Sequence, residues 1–98
     1  MTLRYSRRAL AQITEILETI PEDAPRVRQA FSRRLETLAS LLARQPAIGR
    51  RTDLTGVRVF AVRPYPYLLF YRIDPNDSGI TVLRIRHMAR KEDWRTGH

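Results

Sequence analysis

The chain has 98 residues, with 18 Lys+Arg against 10 Asp+Glu for a formal charge of +8, and it contains no cysteine. That length suits one domain, residues 1–98, with a single modest core, and the missing cysteines exclude disulfide frameworks, thiolate zinc sites and cysteine nucleophiles. No apolar run approaches the roughly 20 residues of a membrane-spanning helix, and Met1–Tyr5 opens no apolar signal core, so a cytoplasmic protein with no membrane partner is expected.

In chain order, Leu3-Arg4-Tyr5 can pair as a short first strand. Ser6 is a helix N-cap by type, opening a helix to about Ile20 with Leu10, Ile13, Leu17 and Ile20 at helical spacing. Pro21 stops it. In the connector Pro21-Glu22-Asp23-Ala24-Pro25, Asp23 can cap the second helix, and Pro25 fits its first turn, where a missing N–H does no harm. Val27, Phe31, Leu35, Leu38 and Leu42 form the second apolar stripe, which ends before Pro46. The two stripes bury most simply as a helical hairpin laid on a sheet. From Pro46 to Gly56 breakers predominate, and an ordered loop is expected.

Three runs rich in β-branched and aromatic residues follow: Val57–Arg63, Tyr67–Ile73 and Ile80–His87. Tyr65-Pro66 and the stretch from Asp74 to Gly79 separate them with reversal chemistry. The expected fold class is α+β in the order β-α-α-β-β-β: a short strand, a helical hairpin, then a three-stranded antiparallel meander, with the helices on one face. Period-two alternation puts Arg84 and Arg86 on one face of the last strand and Leu83, Ile85 and His87 on the other. That predicts an exposed cationic face meeting a polyanion or an acidic protein. Lys91 is the only lysine, and the arginine bias has two explanations of equal weight: recognition by a planar fork, or the codon usage of a GC-rich genome.

Metal binding fails on ligand count, because His87 and His98 are the only histidines and the acids show no spacing that encircles an ion. No P-loop, dinucleotide-binding glycine pattern or nucleophile elbow occurs, so no cofactor is expected. A metal-free ribonuclease is chemically possible, with His87 as base, Arg63, Arg84 or Arg86 stabilising the phosphorane and Glu92 or a tyrosine assisting. A lone strand-end histidine is more often an ordinary residue. Tyr65, Tyr67, Phe70 and Tyr71 interleave with Arg63 and Arg72 in a pattern suited to base stacking, but core packing explains the same residues. Trp94, among Arg90, Lys91, Glu92, Asp93 and Arg95, lies outside any apolar pattern.

Over almost its whole length the chain resembles a toxin of the RelE/ParE superfamily from bacterial type II toxin–antitoxin modules. The resemblance rests on Leu3–Ala9 followed by the hairpin, on Pro46-Ala47-Ile48-Gly49-Arg50 and Gly56-Val57-Arg58, and on Tyr67–Ile73. Its best local match is Ile80–Arg90, which is similar to the family's last strand, its histidine and the arginine after it. ParE-like members are associated with poisoning of DNA gyrase, and RelE-like members cut mRNA on the ribosome. The absence of any tyrosine after Tyr71 leans toward ParE, while Met88 stands where ParE-like relatives often have glycine.

The resemblance implies a growth-inhibiting toxin, of the kind that stabilises plasmids, that binds gyrase and catalyses nothing. Arg84, Arg86, His87, Arg90 and Trp94 are the expected target contacts. The alternative is a ribosome-dependent mRNA endonuclease using His87, Arg63, Arg84 and Arg86. The implied partner is an acidic, DNA-binding antitoxin in a hetero-oligomer, docking on a groove beside the hairpin rimmed by Arg7, Arg8, Arg26, Arg28, Arg33 and Arg34.

Overall fold

The computed structural model describes residues 1–77 and 79–89. Its elements are β1 (Leu3–Tyr5), α1 (Arg7–Glu18), α2 (Pro25–Arg44), β2 (Arg50–Arg51), β3 (Val57–Ala61), β4 (Tyr67–Ile73) and β5 (Ile80–His87), with a 3₁₀ turn at Pro75–Asp77. One sheet runs in the order β1-β5-β4-β3-β2. β1 lies parallel to β5, and the other pairs are antiparallel. The α+β class and the strand and helix order match the sequence expectation; β2 is an addition. It falls in the segment expected to be loop, because that segment is clamped onto the sheet by side chains from β3 and β4, described below.

Ser6 does two jobs. Its Oγ accepts from the Ala9 N–H at 3.0 Å, capping α1. It also donates to the Leu83 carbonyl at 2.9 Å, while the Ser6 N–H reaches the Val82 carbonyl at 2.9 Å. The tie to β5 sets the rotation of α1, so Ala9 is fully buried and Leu10 is 52% exposed. The expected stripe through Leu10 is therefore displaced, and Ile13, Ile16 and Leu17 pack against the core. α1 stops at Glu18 rather than Ile20: the Thr19 Oγ1 donates to the Ile16 carbonyl at 2.6 Å, and the Ile20 N–H bonds the Leu17 carbonyl at 3.2 Å in a tightened last turn.

Asp23 does not cap α2. Ala24 holds that position (φ −120°, ψ 58°) with no side-chain cap, and Pro25 follows in the first turn. The residue before a proline is driven out of the α region, so the one before Pro25 must be the boundary. Along α2, Phe31, Leu35, Leu38 and Leu42 are buried as expected, but Val27 is 50% exposed. The core joins Ala9 and these α2 residues to Val62, Leu69, Tyr71, Ile80, Val82 and Ile85, which places both helices on one face of the sheet.

β5 carries a bulge. Phe70 pairs with Arg84 and Tyr71 with Val82, leaving Leu83 as the extra residue. Strict alternation would put Ile80 and Val82 on the same side as Arg84 and Arg86. The inserted Leu83 switches parity, so that Ile80 and Val82 before it and Ile85 after it all enter the core. At the other end of the hairpin, Gly79 (φ +142°) lets β5 approach β1: a Cβ there would sit 2.3 Å from the Thr2 carbonyl oxygen.

Candidate target-binding surface

The face of the sheet away from the helices follows from the register. Its rows run Arg4–Thr81–Arg72–Val57, then Arg84–Phe70–Val59–Arg50, then Arg86–Leu68–Ala61. Arginines from four strands thus converge on one surface, as the sequence led one to expect, but their exposure differs from that expectation.

Arg84 is 1% exposed and ranks among the largest fully buried side chains. It is a packing residue, and its charge is not offered to solvent; the expectation of an exposed Arg84–Arg86 pair fails at Arg84. Arg86 is half-buried, with its guanidinium carbon 5.4 Å from the Phe70 ring centroid and its Nη1 3.3 Å from the His87 carbonyl. Exposed charge on this face lies at both edges, at Arg50 on the β2 side and at Arg4 and Arg72 on the β1 side. Arg4 and Arg72 keep side-chain exposures of 58% and 51% while flanking Asp74 at 4.0 Å and 3.4 Å. The same carboxylate accepts from the Thr81 hydroxyl at 2.8 Å, so Asp74 knits β1, β4 and β5 together. Sequence reasoning missed Arg4 as a member of this surface. The signal was available only through the parallel pairing of β1 with β5, which places Arg4 beside Thr81.

His87 lies on the helix-facing side. Its ring meets Tyr67 edge-on with centroids 5.3 Å apart, and its Nδ1 accepts from the Ala89 N–H at 3.0 Å. Tyr65 and Tyr67 pack edge-on against Phe31, so they serve the core and do not form a stacking platform; Phe70 and Tyr71 are buried. Arg63 is exposed in the β3–β4 turn, and its carbonyl accepts from the Arg34 Nε. Arg90 and Trp94 lie outside the described residues.

The six arginines expected around the hairpin separate into two groups. Arg7, Arg8, Arg26 and Arg33 are exposed. Arg28 and Arg34 are half-buried and hold the fold together, Arg28 donating to the Ile20 carbonyl at 3.2 Å and Arg34 to that of Arg63.

The loop leading to β2 is anchored from the sheet. The Tyr71 hydroxyl donates to the Pro46 carbonyl at 2.7 Å and accepts from the Gly49 N–H at 2.8 Å. Arg58 donates to the carbonyls of Gly49 at 2.7 Å and Ala47 at 3.2 Å. Burial pushes the Tyr71 phenol above its ordinary range, against the lowering effects of the Gly49 hydrogen bond and nearby Arg58. A Cβ on Gly49 would lie 2.5 Å from the Tyr71 oxygen, which explains a glycine there. Among the described residues no group of histidines and acids is placed to hold a metal ion, and no helix is long and apolar enough to cross a membrane.

Residues 3–92 match the family model described as the ParE toxin of the type II toxin–antitoxin system parDE. The chain is 39% identical to Toxin RelE2 of Caulobacter vibrioides over 88% of its own length and 93% of that protein. Among solved structures it is similar to a chain of the chromosomal ParDE system of P. aeruginosa (TM-score 0.69, 24% identity, 89% of this chain and 95% of that one). It is also similar to a chain of the RelBE2 toxin–antitoxin complex of Mycobacterium tuberculosis (TM-score 0.58, 29% identity, 88% and 95%). The chain belongs to the ParE toxin family of type II toxin–antitoxin systems.

Proposed function

We propose that this toxin inhibits growth by binding and poisoning DNA gyrase, without itself catalysing a reaction, and that an acidic antitoxin neutralises it. The match to a ParE family model supports the target. The observation that carries the non-enzymatic reading is the state of His87. With Nδ1 accepting from the Ala89 N–H at 3.0 Å, that nitrogen is taken up by the backbone and is not presented to a substrate as a base. Burial of Arg84 takes a second member of the nuclease set out of reach of an RNA phosphate. Arg86 and the exposed Arg4 and Arg72 then serve as binding charges on the outer face.

The antitoxin reading draws on the two solved neighbours, which come from toxin–antitoxin systems, and on the basic hairpin surface. Arg7, Arg8, Arg26 and Arg33 offer steering charge, beside the exposed apolar side chains of Leu10 and Val27. An acidic segment carrying leucines would gain affinity from the apolar contacts and encounter rate from the arginines. The target test is induction of the toxin in cells. Loss of supercoiling with DNA breaks and intact mRNA is the expected result; codon-dependent mRNA fragmentation that disappears in His87→Ala would replace gyrase with the ribosome.

A further inference from the structure

The face of the sheet away from the helices is buried at its centre. Arg84, Phe70 and Val59 lie side by side on β5, β4 and β3, and they are 1%, 4% and 6% exposed. Both helices pack on the opposite face, over Tyr71 and Ile85, so no helix among the described residues lies over this row. Side chains on a sheet face that looks into water keep part of their surface wet. Three neighbours this dry need a cover. The Arg86 guanidinium lies over part of the Phe70 ring, but one half-buried side chain does not span a row that crosses three strands, about 10 Å.

The cover must also answer the charge. A guanidinium withdrawn from water is stable only when it is paired and hydrogen-bonded, and Arg84, Arg86 and Phe70 are each engaged in a polar or ring contact. Asp74 serves the β1 side of this face, between Arg4 and Arg72. Further carboxylates stand just past the end of β5. The strand runs into a turn at Met88–Ala89, held by the Met88 N–H on the Pro66 carbonyl at 2.8 Å and the Ala89 N–H on His87 Nδ1. Beyond it the sequence reads Arg90-Lys91-Glu92-Asp93-Trp94-Arg95. Arg90, Lys91 and Arg95 leave this segment with no net negative charge, so the match is local: two carboxylates next to an indole, against a guanidinium next to a phenyl ring. The distance fits. From His87 back to Arg84 is about 10 Å along the strand, and the five residues from Ala89 to Trp94 reach at most roughly 16–18 Å.

We infer that residues 90–95 of this chain close the outer face as a strap, with Trp94 lying on Phe70 and Val59 and with Glu92 and Asp93 pairing with Arg84. The strap withholds the centre of the face from any target and leaves Arg4, Arg72 and Arg50, at the edges, as the cations a target can reach. Trp94 is then a packing residue and not the target contact that its sequence surroundings suggest. The inference is independent of whether the target is gyrase or the ribosome.

Trp94 is the sole tryptophan, so the intrinsic fluorescence of the full chain reports on it alone. Native emission is expected to lie to the blue of the urea-unfolded chain, with severalfold weaker quenching by acrylamide. In ¹³C,¹⁵N-labelled toxin the indole is expected to give NOEs to the Val59 methyls and the Phe70 ring. Quenching as strong as in urea, or indole NOEs that miss this row, overturns the strap. Glu92→Gln combined with Asp93→Asn should speed exchange of the Arg84 Nε–H tenfold or more, and an unchanged rate overturns the pairing. Trp94→Phe keeps a ring in place and should keep toxicity, while Trp94→Ala should shift the Val59 methyls and lower thermal stability. If the Val59 and Phe70 signals of Trp94→Ala stand unmoved while growth inhibition disappears, Trp94 is a target contact and the inference is wrong.

Discussion

Arg84 and Arg86 differ by two residues and share a face, yet their removal should have different consequences. Arg84 is 1% exposed, and its strand neighbour Phe70 is 4% exposed, so Arg84→Ala deletes a long aliphatic stem and a guanidinium from a packed layer. Large-to-small substitutions at such sites cost about 2–5 kcal/mol; even the lower end is a large share of the roughly 5–15 kcal/mol that holds a small domain folded. At about 4–8 °C per kcal/mol for a domain near this size, even the lower end predicts a fall in Tm of about 8–16 °C. Arg86→Ala removes a half-buried side chain and a cation–π contact with Phe70. Such a contact is worth about 0.5–1 kcal/mol at a solvent-accessible site, so Tm should fall by only a few degrees. The assay is urea denaturation of both variants by far-UV circular dichroism, paired with growth inhibition at 20 °C and 37 °C. Arg84→Ala should lose toxicity at 37 °C and regain part of it at 20 °C, the signature of instability, whereas Arg86→Ala should show the same fractional loss at both temperatures. If Arg84→Ala unfolds within 0.5 kcal/mol of the parent protein, its burial is not what matters and the charge must act at the surface after all.

Tyr71→Phe leaves the Pro46 carbonyl and the buried Gly49 N–H without the phenol, at a cost of about 1–3 kcal/mol, measurable in the same urea titration; amide exchange should accelerate across residues 46–51. The folded protein holds the Tyr71 proton more tightly than the unfolded chain does, so the stabilisation is complete below about pH 10 and declines as pH rises through the raised folded value. The Phe variant should lose part of that alkaline slope in a pH series of melts. Gly79→Ala meets both a φ of +142° and the Thr2 carbonyl, so β1 should detach from β5, seen as loss of amide protection at Ile80. Ser6→Ala removes the α1 cap and the bond to Leu83 and should cost about 1–2 kcal/mol, with Ser6→Thr restoring most of it.

The elements that could be read from the chain itself are those set by local chemistry. Ser6 as a cap, the Phe31–Leu42 stripe ending before Pro46 and the runs Tyr67–Ile73 and Ile80–His87 all depend on residues within a turn or two of one another, and each appears where it was expected; the run expected over Val57–Arg63 is a strand only to Ala61. The errors of one or two residues at Thr19 and Ala24 have the same local origin, a tightened last turn and the exclusion of a pre-proline residue from the helix. The family, too, was legible, because the order of these local features spans the whole chain. The fate of Arg84 was not. Its place opposite Phe70 depends on the bulge at Leu83, which reverses the parity of β5 only because Ile80 and Val82 must enter a core built by helices some forty to seventy residues earlier. The outward-facing row from Arg4 to Arg72 depends likewise on the parallel pairing of the first and last strands. Periodicity reports which side chains share a face of an isolated strand; only the packing of distant segments decides which face meets water.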